Sequence, residues 1–237
     1  MKYLPAILSA DHPSLNATER AYRAIKRRII ELELEPGAHV TKSDLTHLAG
    51  AGAMPVREAL TRLQRDGLVQ ALPRSGYRIL PVTLKGVREL CAFRQLLETE
   101  AAGLTAELGC PADDLARMEE LLKASYELGD AVSIDAFLRA NLEFDTIIAN
   151  GCGNDMLAQS ITRVFDELER ILRITLKSLP FSASAAHERR VILDAIRERD
   201  PAAARTAMEA RARASQEQII DTLMSSSSIT EASIRVS

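Results

Sequence analysis

The chain has 237 residues, 46% hydrophobic and 27% charged, with a net charge of −3, which is enough apolar material for two ordinary cores or one large one. No apolar run approaches the roughly 20 residues of a bilayer span, the start is a poor signal peptide because Asp11-His12-Pro13 follows so soon, and no Gly-x-Ser-x-Gly, His-Glu-x-x-His or phosphate-loop pattern occurs, so a membrane protein and an enzyme are both unexpected and the cytoplasm is the expected location. The charge is uneven: residues 1–80 hold 12 Lys/Arg against 8 Asp/Glu (+4), and residues 81–237 hold 18 against 25 (−7), a basic head on an acidic body that suits a DNA-binding domain joined to a sensing domain.

In chain order, residues 1–16 read as an extended arm. Asn16 with Glu19 forms a capping box, and Tyr22, Ile25, Ile29 and Ile30 give a helical stripe to about Glu33. Lys26, Arg27 and Arg28 lie on its outer face, as solvated charges or as phosphate contacts. Pro36-Gly37 breaks the chain, Thr41 or Ser43 caps a second helix carrying Leu45, Leu48 and Ala49, and Gly50-Ala51-Gly52-Ala53 makes a tight turn. In the next helix Pro55 suits the first helical position and Gly67 the position after the last turn. Val56, Ala59, Leu60 and Leu63 form its apolar stripe, while Arg57, Thr61, Arg62 and Arg65 fall outside it. Residues 68–72 and 77–80 read as two strands joined by Pro73-Arg74-Ser75-Gly76, a wing whose tip residue Arg74 can reach a phosphate or a minor groove.

These segments, with Glu35-Pro36-Gly37 and the run Pro55-Val56-Arg57-Glu58-Ala59-Leu60 ending in Gly67-Leu68-Val69, resemble the winged helix-turn-helix of GntR-type bacterial transcription regulators over residues 17–81. The resemblance implies a homodimer on double-stranded DNA with a palindromic operator, contacted through Lys42, Ser43, Arg57, Thr61, Arg65, Arg74 and Gly76. Gly52-Ala53 stand where the family usually has Ser-Arg, so a base-reading arginine is missing and the operator sequence is expected to differ. Arg62 is expected to matter less than Arg57 if it turns toward its own domain.

From residue 83 the periodicity is helical throughout. Thr83 caps a helix to 108, ended by Gly109; Pro111 opens one to about 128; Ser133 or Asp135 starts a third to 149. The Asn150-Gly151-Cys152-Gly153-Asn154 loop leads to a fourth helix, 155–177, stopped by Pro180, and two more cover 185–199 and 201–224. The fold class is therefore mainly α: a winged helix-turn-helix followed by an all-α bundle of about six helices over 82–225. Residues 226–237 form a polar tail in which Ile229, Ile234 and Val236 are candidate docking residues. Cys91, Cys110 and Cys152 lack Cys-x-x-Cys spacing and read as thiols in a reducing compartment.

Arg94 with Glu98 and Ala101-Ala102, Phe144 before Gly153-Asn154, and Ala195-Ile196 with Asp200, Ala204 and Met208 resemble the FCD ligand-binding domain of the FadR branch of that family. Many such domains hold a divalent metal through an Asp and three His. The resemblance places Asn141, Asp145, Arg189 and Arg211 at those four positions, and arginine has no lone pair to give a metal. His187 lies two residues before the expected slot, and His12, His39 and His47 offer no metal spacing either. No metal and no cofactor are expected. Two readings of the site follow: Asp145 with the arginines is a buried network that replaces the metal, or the arginines receive a small organic acid, with Arg94 and Arg173 as further candidates. The expected function is a repressor of a catabolic operon released by that acid; the alternative is an effector-free dimeric DNA-binding protein whose helical domain only dimerises.

Overall fold

Asn16 opens the first helix, α1 (Ala17–Ile30), its side chain accepting a hydrogen bond from the Glu19 amide at 2.8 Å. The structure, a computed structural model, describes residues 2–5, 15–179, 183–225 and 234–235. Only half of the expected capping box forms, because the Glu19 carboxylate turns to Arg23 (2.9 Å) and Arg62 (2.6 Å). The helix ends three residues short of Glu33, and Leu32 takes a positive φ of 63°. Thr41 caps α2 (Lys42–Ala49) in a complete box with Asp44, and Gly50 closes it in the left-handed conformation. α3 (Ala53–Arg65) starts two residues before Pro55, which is therefore its third residue and not its first; it is tolerated there because the first-turn amides have no intrahelical partner. Gly67 follows with a φ of +72°, as expected of a helix-ending glycine.

The apolar stripes of the three helices meet in one core. Ala21, Ile25 and Ile29 of α1 pack with Leu45 of α2 and with Val56, Ala59, Leu60 and Leu63 of α3, all at zero exposure. A three-stranded antiparallel sheet covers it in the order β1-β3-β2, formed by β1 (His39–Val40), β2 (Val69–Leu72) and β3 (Gly76–Ile79). The hairpin is the anticipated wing. β1 was not anticipated, since two residues are too few to show alternation; it pairs Val40 with Tyr77.

Gly76 makes that third strand fit. Its φ is +94°, and a Cβ there would stand 2.5 Å from the Val40 carbonyl oxygen. At Gly50, where φ is +56°, a Cβ would meet nothing within 4 Å. Gly50→Ala should therefore cost about 1 kcal/mol of stability, the backbone term alone, and Gly76→Ala clearly more. Thermal unfolding of the two variants tests this; equal losses would mean that β1 does not constrain the wing.

Val82–Thr83 (β4) pairs in parallel with Ile234–Arg235 (β5), so Ile234 is anchored; Ile229 and Val236 lie outside the described residues. Residues 15–84 with 234–235 form one compact unit, and residues 2–5 with 85–225 form the other.

The second unit contains the six expected helices: α4 (Leu84–Leu108), α5 (Ala112–Leu121), α6 (Ala131–Gly151), α7 (Asp155–Thr175), α8 (Ala183–Arg197) and α9 (Pro201–Ser225). α5 stops seven residues earlier than its periodicity suggests. The following turn brings Tyr126 inward against Phe137, with ring centroids 4.8 Å apart, and its hydroxyl donates to the Leu179 carbonyl at 2.7 Å. α6 starts earlier than expected, capped by Asp130, and absorbs Asn150 and Gly151; Asn154 caps α7. Pro180, the expected stop of the α7 segment, lies outside the described residues.

Residues 2–5 are not a free arm. The Asn150 side-chain oxygen accepts from the Lys2 and Tyr3 amides, both at 2.8 Å, its Nδ2 donates to the Tyr3 carbonyl, and Gln159 donates to the Tyr3 hydroxyl at 3.1 Å. Residues 6–14 lie outside the description. No helix among the described residues is long and apolar enough to cross a membrane.

Candidate functional site

On the winged unit, α3 divides its cations between two tasks. Arg62 points back to α1: it donates to Glu19 at 2.6 Å and its guanidinium lies 3.9 Å from the centre of the Tyr22 ring. Burial would raise the Glu19 carboxyl, but Arg62 and Arg23 outweigh it and hold the group below the usual range. The Tyr22 hydroxyl in turn bonds Asp66 at 2.6 Å. Within the unit Lys26 donates to the Tyr22 hydroxyl (3.1 Å) and Arg28 pairs with Glu33 (2.7 Å).

Arg57 and Arg65 are exposed on α3, as are Lys42 and Ser43 on α2 and Arg74 at the wing tip. Among the described residues no ion pair engages Lys42, Arg57, Arg65 or Arg74, so their charge faces solvent. Thr61, also exposed, bonds the Arg57 carbonyl at 3.0 Å. Gly76 is half-buried against β1, where its positive φ and the nearby Val40 carbonyl leave no room for a Cβ.

The helical unit holds a partly open cavity of about 130 Å³. Residues distant in sequence converge on it: Arg94 from α4, Phe137, Asn141 and Asp145 from α6, Glu169 and Leu172 from α7, Arg189 from α8, and Arg211 and Ser215 from α9. Five of the six candidate effector residues thus line one space. Arg173 does not; it stands behind the wall, holding Glu169 at 2.8 Å and Asp135 at 2.5 Å.

The central feature is a two-pronged ion pair. Arg211 presents two guanidinium nitrogens to the two carboxylate oxygens of Asp145 at 2.5 and 2.8 Å, with both residues buried. Burial disfavours the Arg211 charge, yet the Asp145 carboxylate outweighs it and holds the group above its ordinary value. Arg189 shows the opposite balance. Burial and the neighbouring Arg211 cation push it down to about 10, and its guanidinium lies 5.4 Å from the Phe137 ring centre. Arg94, only 2% exposed, donates to Glu98 at 2.8 Å and to the Ser215 hydroxyl at 3.0 Å, so it is a buried network residue and not a surface one. Burial pushes the Glu98 carboxyl up against the pull of Arg94. The Asn141 side-chain oxygen is buried with no hydrogen-bond partner among the described residues.

These residues do not fit a divalent metal. Both oxygens of Asp145 are engaged by a guanidinium, which cannot itself ligate. His187 is exposed on α8. No group of three or more His, Cys, Asp or Glu side chains among the described residues is placed to hold a metal ion.

Sequence reasoning missed Ser215 and Ile219, although both follow Arg211 at four-residue steps along the inner face of α9. It also missed the carboxylates Glu169 and Glu188, which make the described lining three arginines to three carboxylates. That balance leaves the described lining without a surplus of positive charge.

Comparison with known proteins agrees with both units. The model of bacterial regulatory proteins of the gntR family matches residues 17–79, and the FCD domain model matches residues 89–214. The HTH-type transcriptional repressor GlaR of Escherichia coli is 28% identical over 190 residues, covering 77% of this chain and 86% of that protein. An HTH-type transcriptional regulator in an unstable DNA locus of Streptomyces ambofaciens is 28% identical over 195 residues, 81% and 80% of the two chains. Among solved structures, E. coli McbR/YncC superposes with a TM-score of 0.73 at 21% identity, over 88% of this chain and 99% of that one. A GntR regulator from Rhodococcus follows at 0.67 and 21%, over 86% and 97%; these two likenesses speak for the fold. With an FCD domain spanning more than half its length behind a gntR-type helix-turn-helix, the chain belongs to the GntR family of bacterial regulatory proteins and is a transcription regulator, not an enzyme.

Proposed function

We propose that this regulator is a homodimeric repressor of a catabolic operon, that it binds a palindromic operator through Lys42, Ser43, Arg57, Thr61, Arg65, Arg74 and the wing backbone at Gly76, and that a small organic acid in the helical unit releases it. The supporting observation is the cavity on which Arg94, Asn141, Asp145, Arg189 and Arg211 converge. A buried polar cluster beside an empty volume is the arrangement of a small-molecule site, where few polar groups orient the ligand and apolar walls bind it. GlaR, a relative matched over most of both chains, is named a repressor, which supports the direction proposed. One recognition helix reads too few base pairs for useful selectivity, and a two-fold dimer doubles them.

Gel-shift titration with a panel of organic acids, alongside sedimentation of the free protein, tests the reading. The expected result is a dimer whose operator complex dissociates with at least one acid. A dimer that holds its operator equally in the presence of every acid would favour the alternative, in which the Asp145–Arg211 network is only structural and the helical unit only dimerises. Tighter DNA binding with an acid would reverse the direction of the switch and keep the site.

A further inference from the structure

The cavity lining mixes two kinds of surface. Ten of its nineteen described lining residues are leucine, isoleucine, phenylalanine or tyrosine. Tyr126, Phe137, Leu138 and Leu176 belong to a hydrophobic cluster, against which Leu172 and Leu179 pack. A space of about 130 Å³ is close to the roughly 150 Å³ of an apolar protein cavity that takes a benzene molecule.

Part of the polar lining is already committed. Arg211 holds Asp145 with two bonds, Arg94 holds Glu98 and Ser215, and Arg173 holds Glu169 from behind. A ligand bearing many hydroxyls would bury them against leucine side chains without partners, and each such group carries a desolvation cost. The Asn141 side-chain oxygen is a buried acceptor without a hydrogen-bond partner among the described residues, so the lining can still orient a ligand through a few polar contacts. Charge limits the ligand further. The lining carries as many carboxylates as guanidiniums, so a di- or tricarboxylate would place two or three more negative charges beside Asp145, Glu169 and Glu188. A single carboxylate is different: next to Arg189 and Arg211 it relieves the repulsion between two neighbouring cations.

We infer that the cavity takes a monocarboxylate with a compact hydrocarbon body of about six carbons, a ring or a short chain, and discriminates against polyhydroxylated and polycarboxylated acids. This rests on the effector-cavity reading above and narrows it.

Isothermal titration calorimetry on the full-length protein with propanoate, butanoate, hexanoate and phenylacetate, and with gluconate and citrate, tests it. Affinity should rise about fourfold per added methylene from propanoate to hexanoate, phenylacetate should bind comparably to hexanoate, and gluconate, equal in carbon number to hexanoate, should bind at least about tenfold more weakly. Hexanamide, which keeps the body and loses the charge, should bind at least about tenfold more weakly than hexanoate. Leu172→Asn, at a half-buried wall position, should compress the hexanoate-to-propanoate ratio; the ligand series stands without this variant if it folds poorly. Equal affinity for propanoate and hexanoate, or gluconate or citrate binding as tightly as hexanoate, overturns the inference while leaving an effector site in place. No binding of any of these acids, by heat and by thermal shift alike, together with no response to the wider acid panel, removes the effector reading together with it.

Discussion

Asp145→Ala should destabilise the helical unit by about 3–5 kcal/mol in chemical denaturation, the largest single-residue loss expected in that unit outside its hydrophobic core. The substitution removes both acceptors of the Arg211 guanidinium and leaves that cation buried, with Arg189 beside it. Arg211→Ala should cost a similar amount by stranding the carboxylate instead. Replacing both partners with apolar residues of similar size, Asp145→Leu with Arg211→Met, removes the unmatched charge as well as the bond and should recover most of the stability. This double variant separates architecture from binding, since it should fold and yet fail to respond to acids. A loss below about 1 kcal/mol for Asp145→Ala would mean that water reaches the pair, in the manner of a surface salt bridge.

Arg57→Ala should weaken operator binding about 10- to 100-fold, leave the melting temperature within a degree or two, and lower the slope of log K against log salt by about one. Arg57 is exposed and no ion pair engages it among the described residues, so the winged unit loses nothing internal with it. Arg62→Ala, five residues along the same helix, should do the reverse. It breaks the bond to Glu19 and the packing on Tyr22, costs about 0.5–2 kcal/mol of stability, and leaves the salt slope unchanged. Fluorescence anisotropy on labelled operator over a salt series, with thermal melts of the same preparations, distinguishes the two. An unchanged slope for Arg57→Ala would remove that residue from the DNA-contact set.

The winged unit was legible because its information is local. Asn16, Thr41, Gly50 and Gly67 mark helix ends through the chemistry of their own side chains or backbone, and the three-to-four-residue spacing of Val56, Ala59, Leu60 and Leu63 names the face that packs. The six helices of the second unit follow from the same kind of signal. Errors fell where the local rule had a competitor: Glu19 left its capping box for Arg62, and α5 stopped early so that Tyr126 reached Phe137. Spacing along the chain likewise could not assign the arginines. Arg57, Arg62, Arg94, Arg173, Arg189 and Arg211 are one residue type on helices, and each is defined by what lies across the gap: solvent, Glu19, Glu98, Asp135 with Glu169, Phe137, and Asp145. The sequence alone determined the family, the order of the helices and the absence of His at Asn141, Asp145, Arg189 and Arg211, the positions that the resemblance sets at the metal. Only the tertiary structure decided that Arg211 and Asp145 satisfy each other and that Glu169 and Glu188 balance the arginines, because the sign of a site is a sum over helices that sequence distance keeps apart.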